Sequence, residues 1–402
     1  MGSPDIRIRS EQFGYTIAFK SGTVGFYQHS AGALLLDGAS EEELEEHKIK
    51  TMAVGENFHL SGPLIAWLEL TLKCNLPCKH CYINAGSKRP NELDTEELKG
   101  VIDQLADKGV MCLVLIGGEP MMHPDFLELL HHAYDRDLVI CVATNGHYIE
   151  PEILEQIPKD VVISISADGT SYQKKLRVTS SWDRIRSKLL MVRKAGFPTG
   201  IMATLTNQNV DECHELLDFA IENDIYFGTS TFEPIGRGQR FPELKPTAAI
   251  AEQAAELRRR EEEHEGNILP RLGLTFTKFF YASHVIGAAT KQEFCGSTLA
   301  YIQADGEVFP CTSCSSIQRH SAGSLRTQKF DEIWETGFTE FRKMTWDKFK
   351  GCASCEYSKK EYTCFGRCPV LSEVYTGDPL VCGFSDFQRE QLRLRSKPAP
   401  VV

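Results

Sequence analysis

The chain has 402 residues, with 44 lysines and arginines against 55 aspartates and glutamates and a net charge of −11 at pH 7. That balance argues against a nonspecific nucleic-acid binder, which is normally basic. The apolar runs, such as VVISISA at 161–167, are far too short to span a bilayer, so neither nucleic acid nor membrane is expected as a partner. Hydrophobic residues make up 42%, enough to bury the cores of two or three domains. The opening MGSPDIRIRS has no apolar signal region, and a cytoplasmic location is expected.

Residues 1–60 read as a small α+β element. EQFGYTIAFKSGTVGFYQ holds two strand-like runs around Ser21-Gly22, followed by the helix-prone EEELEEHK. Over 61–235 short apolar, β-rich runs alternate with helical patterns. IAWLELT leads to DTEELKGVIDQLADKG, with Asp94 as N-cap and Gly109 as stop. CLVLIGGEP leads to HPDFLELLHHAYDRD, VICVATNG to EPEILEQI, VVISISADG to WDRIRSKLLMVRKA, and TGIMATLT to VDECHELLDFAIEND, before YFGTSTFEP closes the series. Six β units with five helices between them predict a parallel sheet covered by helices, in an α/β fold of partial (β/α)6 TIM-like barrel type. Residues 236–290 read as a helical bridge, in which the RRREEE run of AAIAEQAAELRRREEEHEG is expected on a solvated face with helical ion pairs. Residues 291–395 are Cys-rich and turn-rich.

Fourteen cysteines in a chain with no export signal point to metal or cofactor ligation rather than disulfides. Cys74, Cys78 and Cys81 follow the first barrel strand as CxxxCxxC with no nearby fourth thiol. A closed zinc site wants four ligands, whereas three cysteines on one loop can hold three irons of a 4Fe–4S cubane. The fourth iron is then open to an amino group plus a carboxylate. Other features fall at strand ends, where barrels of this kind place their chemistry. Gly117, Gly118 and Glu119 can meet a cationic amine, Arg177 suits a carboxylate, and Asn145, Ser164, Ser166 and Asp168 lie nearby in the chain. Cys112, Cys141 and Cys213 read as buried thiols that pack as hydrophobes. His123, His131 and His132 read as packing or surface residues.

Cys74–Cys81, GGEP, TNG and SADG resemble the radical S-adenosylmethionine (SAM) superfamily. The resemblance implies SAM on the open iron, reductive cleavage to a 5′-deoxyadenosyl radical, and hydrogen abstraction from substrate. It gives Gly117, Gly118 and Glu119 to the methionine amine, Ser166 and Arg177 to its carboxylate, and Asn145 to the ribose region. His80 departs from the aromatic residue that many members place before the third cysteine. Cys295, Cys311, Cys352, Cys355, Cys364, Cys368 and Cys382, with FDEIWETGFTEFRKM and EPIGRG at 233–238, resemble the SPASM domain. That implies two auxiliary 4Fe–4S clusters, three clusters in all. Cys352, Cys355, Cys364 and Cys382 would hold one. Cys295, Cys311 and Cys368 would hold the other, with Cys314 as its fourth ligand or with an open site. The eight-residue gap before Cys364 is longer than the usual five, and a pair of zinc knuckles is the alternative. Residues 1–60 resemble part of a PqqD-like peptide-recognition element, or else are an extension packed on the barrel.

The function expected is C–H modification of a ribosomally made precursor peptide, by crosslinking, oxidation or epimerisation, with a flavodoxin- or ferredoxin-type electron donor. Thr312 stands where the sulfatase-maturing group has an acidic residue, which argues against that activity. Oxidation or decarboxylation of a small molecule, an aminocyclitol or a tetrapyrrole, is the alternative substrate class, and a non-catalytic metal-binding scaffold the alternative of another kind. No acid–base residue is legible.

Overall fold

The computed structural model describes residues 6–36, 39–49, 58–273, 275–290, 292, 294–355, 368–383 and 385–394. Strands β1 (Ile6–Glu11), β2 (Gly14–Phe19) and β3 (Val24–Gln28) form an antiparallel sheet in that order. Two runs were expected here and three strands form. IRIRSE also alternates with period two, and it pairs with β2 along its whole length, from Ile6↔Phe19 to Glu11↔Gly14. The sheet is seated on the barrel by polar contacts. Arg9 donates to Glu11 (2.8 Å), to the Pro63 carbonyl (2.9 Å) and to the Gly109 carbonyl (2.7 Å), and the Ser61 N–H reaches Glu11 at 2.7 Å.

The expected parallel barrel is present. Strands β4 (Ile65–Glu69), β5 (Cys112–Ile116), β6 (Val139–Thr144), β7 (Val162–Ser166), β8 (Thr199–Leu205) and β9 (Tyr226–Thr231) pair in sequence, each parallel to the next. Every residue of β5 is buried, as a strand covered on both faces requires. Leu113 and Leu115 pack with Leu98, Val101 and Phe126 of the outer helices. Cys112 and Val114 pack with Phe279 and Ile286 of the apolar helix Phe276–Thr290, which covers the inner face. The helix Thr95–Asp107 starts at Asp94 in a capping box with Glu97, as its sequence predicts. Cys112, Cys141 and Cys213 are buried core thiols.

The sheet does not end with the barrel. Strands β10 (Leu299–Ile302), β11 (Glu307–Phe309) and β12 (Gly323–Ser324) extend it past β4, giving the order β12-β11-β10-β4-β5-β6-β7-β8-β9. β10 runs parallel to β4, with Leu299 opposite Ile65. FDEIWETGFTEFRKM is helical, and its fully buried Trp334 donates to the Leu60 carbonyl at 2.8 Å.

The long helix Ala251–Ile268 corrects one expectation. Arg259 does lie on a solvated face, paired with Glu256 and Glu263. Glu261, in the same run, is fully buried and paired with Arg258 at 2.9 Å. The cause is helical phase: Ala251, Ala254, Leu257, Glu261, Glu265 and Ile268 share the inward stripe. Glu265 accepts from Tyr226 (2.8 Å) and from Tyr281, and burial pushes it up to about 7 from an ordinary 4.5. The folded state therefore binds this proton more tightly than the unfolded chain. Stability of the native protein relative to Glu265→Gln is expected to fall as pH rises from about 4.5 to about 7, then to level off. Paired thermal scans across that range check this.

Candidate active site and cluster sites

The chain after β4 folds back on itself to present its three cysteines. The Cys74 N–H donates to the Gly86 carbonyl (2.9 Å) and the Gly86 N–H to the Leu72 carbonyl (3.1 Å), closing the loop. Backbone donors face two of the sulfurs: Leu76 N–H lies 3.5 Å from Cys74 Sγ and Ala85 N–H 3.2 Å from Cys81 Sγ. Burial pushes the Cys78 thiol up to about 12. Arg177 pulls it down, and Cys81 and Cys74 push it further up. Among the described residues no three His, Cys, Asp or Glu side chains converge on a single metal ion. The three-thiol donor set with N–H groups on its sulfurs fits a cubane with one iron left open.

The strand ends surround this loop. Gly117 and Gly118 are required by backbone contact, since a Cβ on either would stand 2.4 Å from a carbonyl oxygen of Thr71, Leu72 or Lys73. The Gly118 and Glu119 N–H groups donate to the Thr71 and Lys73 carbonyls at 2.7 and 2.9 Å. Glu119 is fully buried and accepts from Thr144 Oγ1 (2.7 Å), Asn145 N–H (2.8 Å) and Met121 N–H (3.2 Å). Burial outweighs those donors and pushes its carboxyl up to about 7. Asn145 donates to Asn75 Oδ1 at 2.8 Å and lies 3.9 Å from Cys74 Sγ. Ser166 ends β7, half-buried. Arg177 points its guanidinium at Asp168, with Nε 2.6 Å from Oδ2 and Nη2 3.3 Å from Oδ1. His80 Nε2 joins the same carboxylate at 3.3 Å, and burial lowers this imidazole to about 4, so it is neutral at pH 7. Glu119 and Arg177 are therefore committed to protein partners, while Gly117, Gly118 and Ser166 are half-buried.

The EPIGRG segment, read only as part of a resemblance, braces the cysteine loop directly. Gly236 has φ +57°, and a Cβ there would stand 2.1 Å from the Tyr82 carbonyl oxygen. Arg237 donates from Nη1 to the Cys78 carbonyl (2.9 Å), from Nε to Asn84 (3.2 Å), from Nη2 to the Ala85 carbonyl, and from its backbone to the Cys81 carbonyl (2.9 Å). Losing even one charged hydrogen bond of about 1.5 kcal/mol is worth about tenfold in retention. Arg237→Ala is expected to release iron from this site at least that much faster under chelator, with the other clusters unchanged, as followed by absorbance and EPR. Glu69 is a second residue that spacing did not reveal. Fully buried at the end of β4, it joins Arg89 (3.0 Å) to Tyr301 of β10.

The C-terminal cysteines form two groups. Cys311 Sγ lies 3.4 Å from Cys314 Sγ, Cys295 is a hydrogen-bonding neighbour of Cys311, and Cys368 acts electrostatically on Cys314. Cys295, Cys311 and Cys314 share one buried cluster, with Cys368 packed against it. Cys352 and Cys355 lie on one tight turn, and the Lys350↔Val381 bridge brings the 380–382 segment beside it, carrying Cys382. Cys364 lies outside the described residues, as does part of 1–60.

Residues 68–220 match the radical SAM superfamily and residues 294–356 the SPASM iron–sulfur cluster-binding domain. The chain is 31% identical over 347 residues to the AdoMet-dependent heme synthase of Methanosarcina barkeri, covering 79% of this chain and 94% of that one. The chain belongs to the radical SAM superfamily. Mycofactocin maturase MftC of Mycolicibacterium smegmatis is 28% identical over 85% of this radical SAM chain and 88% of its own. The solved structure of Streptococcus suis SuiB bound to precursor peptide SuiA superposes with TM-score 0.69 at 18% identity, over 96% of this chain and 98% of that one.

As a radical SAM enzyme with a SPASM domain, the protein uses SAM and 4Fe–4S clusters. When bound, these would supply radical chemistry able to take a hydrogen atom from an unactivated C–H bond. The chain's own residues position and shield that chemistry. Glu119 ties the end of β6 to the GGEP loop through Thr144 and the Asn145 N–H. Asp168 neutralises Arg177 in a dry setting and keeps its charge beside Cys78 and Cys81. Arg237 and Gly236 press the loop from the β9 side. No helix among the described residues is long and apolar enough to cross a membrane.

Proposed function

We propose that this enzyme modifies an unactivated C–H bond of a ribosomally made precursor peptide, using one SAM-binding cluster on Cys74, Cys78 and Cys81. The remaining cysteines would hold two auxiliary clusters, one on Cys295, Cys311, Cys314 and Cys368 and one on Cys352, Cys355, Cys364 and Cys382. The Gly117–Gly118 edge and Ser166 would meet the methionine end of SAM, with Glu119, Asn145 and Arg177 framing it. A flavodoxin- or ferredoxin-type protein would supply the electron. The observation that carries the peptide reading is the N-terminal sheet. Among the described residues β1 pairs with β2 alone, and its Ile8 is 49% exposed. Such an edge accepts a peptide as an added strand. The maturase relatives and the peptide-bound structure support the same reading.

A second reading, decarboxylation of a tetrapyrrole, is favoured by the 31% identity to a heme synthase. One assay separates them. Cluster-loaded, oxygen-free enzyme with SAM and reductant is given either short candidate precursor peptides encoded in the same genome or an iron tetrapyrrole bearing propionate side chains. Substrate-dependent 5′-deoxyadenosine with a mass change in the peptide alone is the expected result. Loss of carboxyl groups from the tetrapyrrole, with the peptide untouched, would overturn it.

A further inference from the structure

Glu69, Glu119, Asp168 and Glu233 stand at or just beyond the C-terminal ends of the strands. Glu69 is paired with Arg89, Asp168 with Arg177, and Glu119 is enclosed by three donors. Glu233 differs. It follows the end of β9 by two residues, is half-buried, and accepts from the hydroxyl of Tyr375. Tyr375 lies on the helix Pro369–Thr376, whose N-cap is Cys368. Lys245 Nζ stands 3.8 Å from the centroid of the Tyr375 ring. Glu233 itself opens the EPIGRG segment whose Arg237 holds the Cys78 carbonyl. The carboxylate–phenol pair therefore bridges the segment bracing the first cysteine loop and the helix leaving the Cys295/Cys311/Cys314/Cys368 group. The residue after Cys311 is Thr312, so no carboxylate stands there.

We propose that Glu233, positioned by Tyr375, is the proton acceptor for the oxidation that follows hydrogen abstraction. After the substrate loses one hydrogen atom to the 5′-deoxyadenosyl radical, its carbon radical still holds one electron too many for a closed-shell product. One proton passes to a Glu233 carboxylate oxygen. One electron passes to an oxidised iron–sulfur cluster, the acceptor class that the nearby thiols bind. The net change is loss of two electrons and two hydrogens, forming one new bond in the substrate. The inference rests on the peptide reading above, since decarboxylation of a tetrapyrrole would release carbon dioxide and one electron and leave no second proton for Glu233 to take. The titratable and charged groups facing Glu233 are Tyr375 and Lys245. Burial pushes the carboxyl up to about 7, against the pull of both, which suits a group that must take and release a proton at neutral pH.

The test uses the cluster-loaded enzyme. In an infrared pH titration without substrate, the native-minus-Glu233→Gln difference is expected to show one protonated carboxyl band lost with a midpoint near 7, the bands of Glu119 and Glu265, raised to the same range, cancelling in the difference. Tyr375→Phe removes a donor to the ionised carboxylate, so it is expected to move the midpoint upward. With a peptide substrate that reacts in the preceding assay, Glu233→Gln is expected to keep 5′-deoxyadenosine formation while oxidised product falls about 100-fold. Glu233→Asp is expected to recover part of it, and the native pH inflection in product formation should vanish in the glutamine variant. An unchanged infrared band in Glu233→Gln, or product formation matching the native enzyme, would overturn the assignment. If Glu233→Gln loses its cluster EPR signals, Tyr375→Phe decides, and an unmoved midpoint counts against the proposal. If no peptide reacts, the peptide reading fails while the infrared result still stands for or against Glu233.

Discussion

Replacing Cys74, Cys78 and Cys81 together by alanine is expected to lower iron from about 12 to about 8 atoms per chain, one cubane's worth, and to abolish reductive SAM cleavage. The reason lies in how the loop is held. Its backbone is closed by the Cys74–Gly86 and Gly86–Leu72 hydrogen bonds and braced by Gly236 and Arg237, none of which uses a sulfur. The loop should keep its shape without the thiols, so the loss should be confined to one site. Among the described C-terminal thiols, Cys295, Cys311 and Cys314 are buried and Cys352, Cys355, Cys368 and Cys382 half-buried in groups of their own, and they should keep their iron. Iron and sulfide analysis with EPR on oxygen-free protein checks both halves. An iron count falling by more than one cubane would mean that the sites assemble interdependently, and an unchanged count would remove this loop from the chemistry.

Asp168→Ala is expected to cost about 3–5 kcal/mol of stability and to abolish SAM binding. Asp168 is fully buried and accepts from Arg177, from the Thr204 N–H at 2.8 Å and from His80 at 3.3 Å. Burial pushes its carboxyl up, but Arg177, with His80 next, outweighs this and holds it below the ordinary 3.8. Its folded value lies under its unfolded one, so its contribution is fully present above pH 3.8 and is lost only as pH falls through the folded value. The deficit of the alanine variant should therefore be constant around neutral pH. Removing the carboxylate leaves the Arg177 guanidinium buried and unpaired, and frees a side chain that faces Cys78. Thermal unfolding and equilibrium SAM binding to cluster-loaded protein measure the two effects. A variant as stable as the native chain would show that Arg177 finds another partner.

The six strands and the position of the first cysteine loop were legible because both signals are local. Apolar runs between helical patterns give parallel strands, and CLVLI is buried at every position as its composition demands. CxxxCxxC after a strand places three thiols on one loop whatever the rest of the chain does. Helical phase was less legible. In RRREEE only the register relative to Ala251, Leu257 and Ile268 tells which charges turn inward; Glu261 does, as does Glu265 just past the run. The glycines of GGEP were legible as close-approach residues, but what approaches them is the carbonyl row of Thr71–Lys73.

By itself the sequence determined the α/β barrel order, the three-thiol loop and the cysteine-rich C-terminal part, because each follows from spacing along the chain. Only the tertiary structure decided which groups meet across it. β10 extends the barrel sheet beside β4 from more than 200 residues away, Asp168 pairs with the Arg177 guanidinium, and Arg237 braces the cysteine loop from a segment about 150 residues past it. Such pairings depend on the twist and closure of the sheet, which bring strand ends into one ring, and no local periodicity encodes that distance.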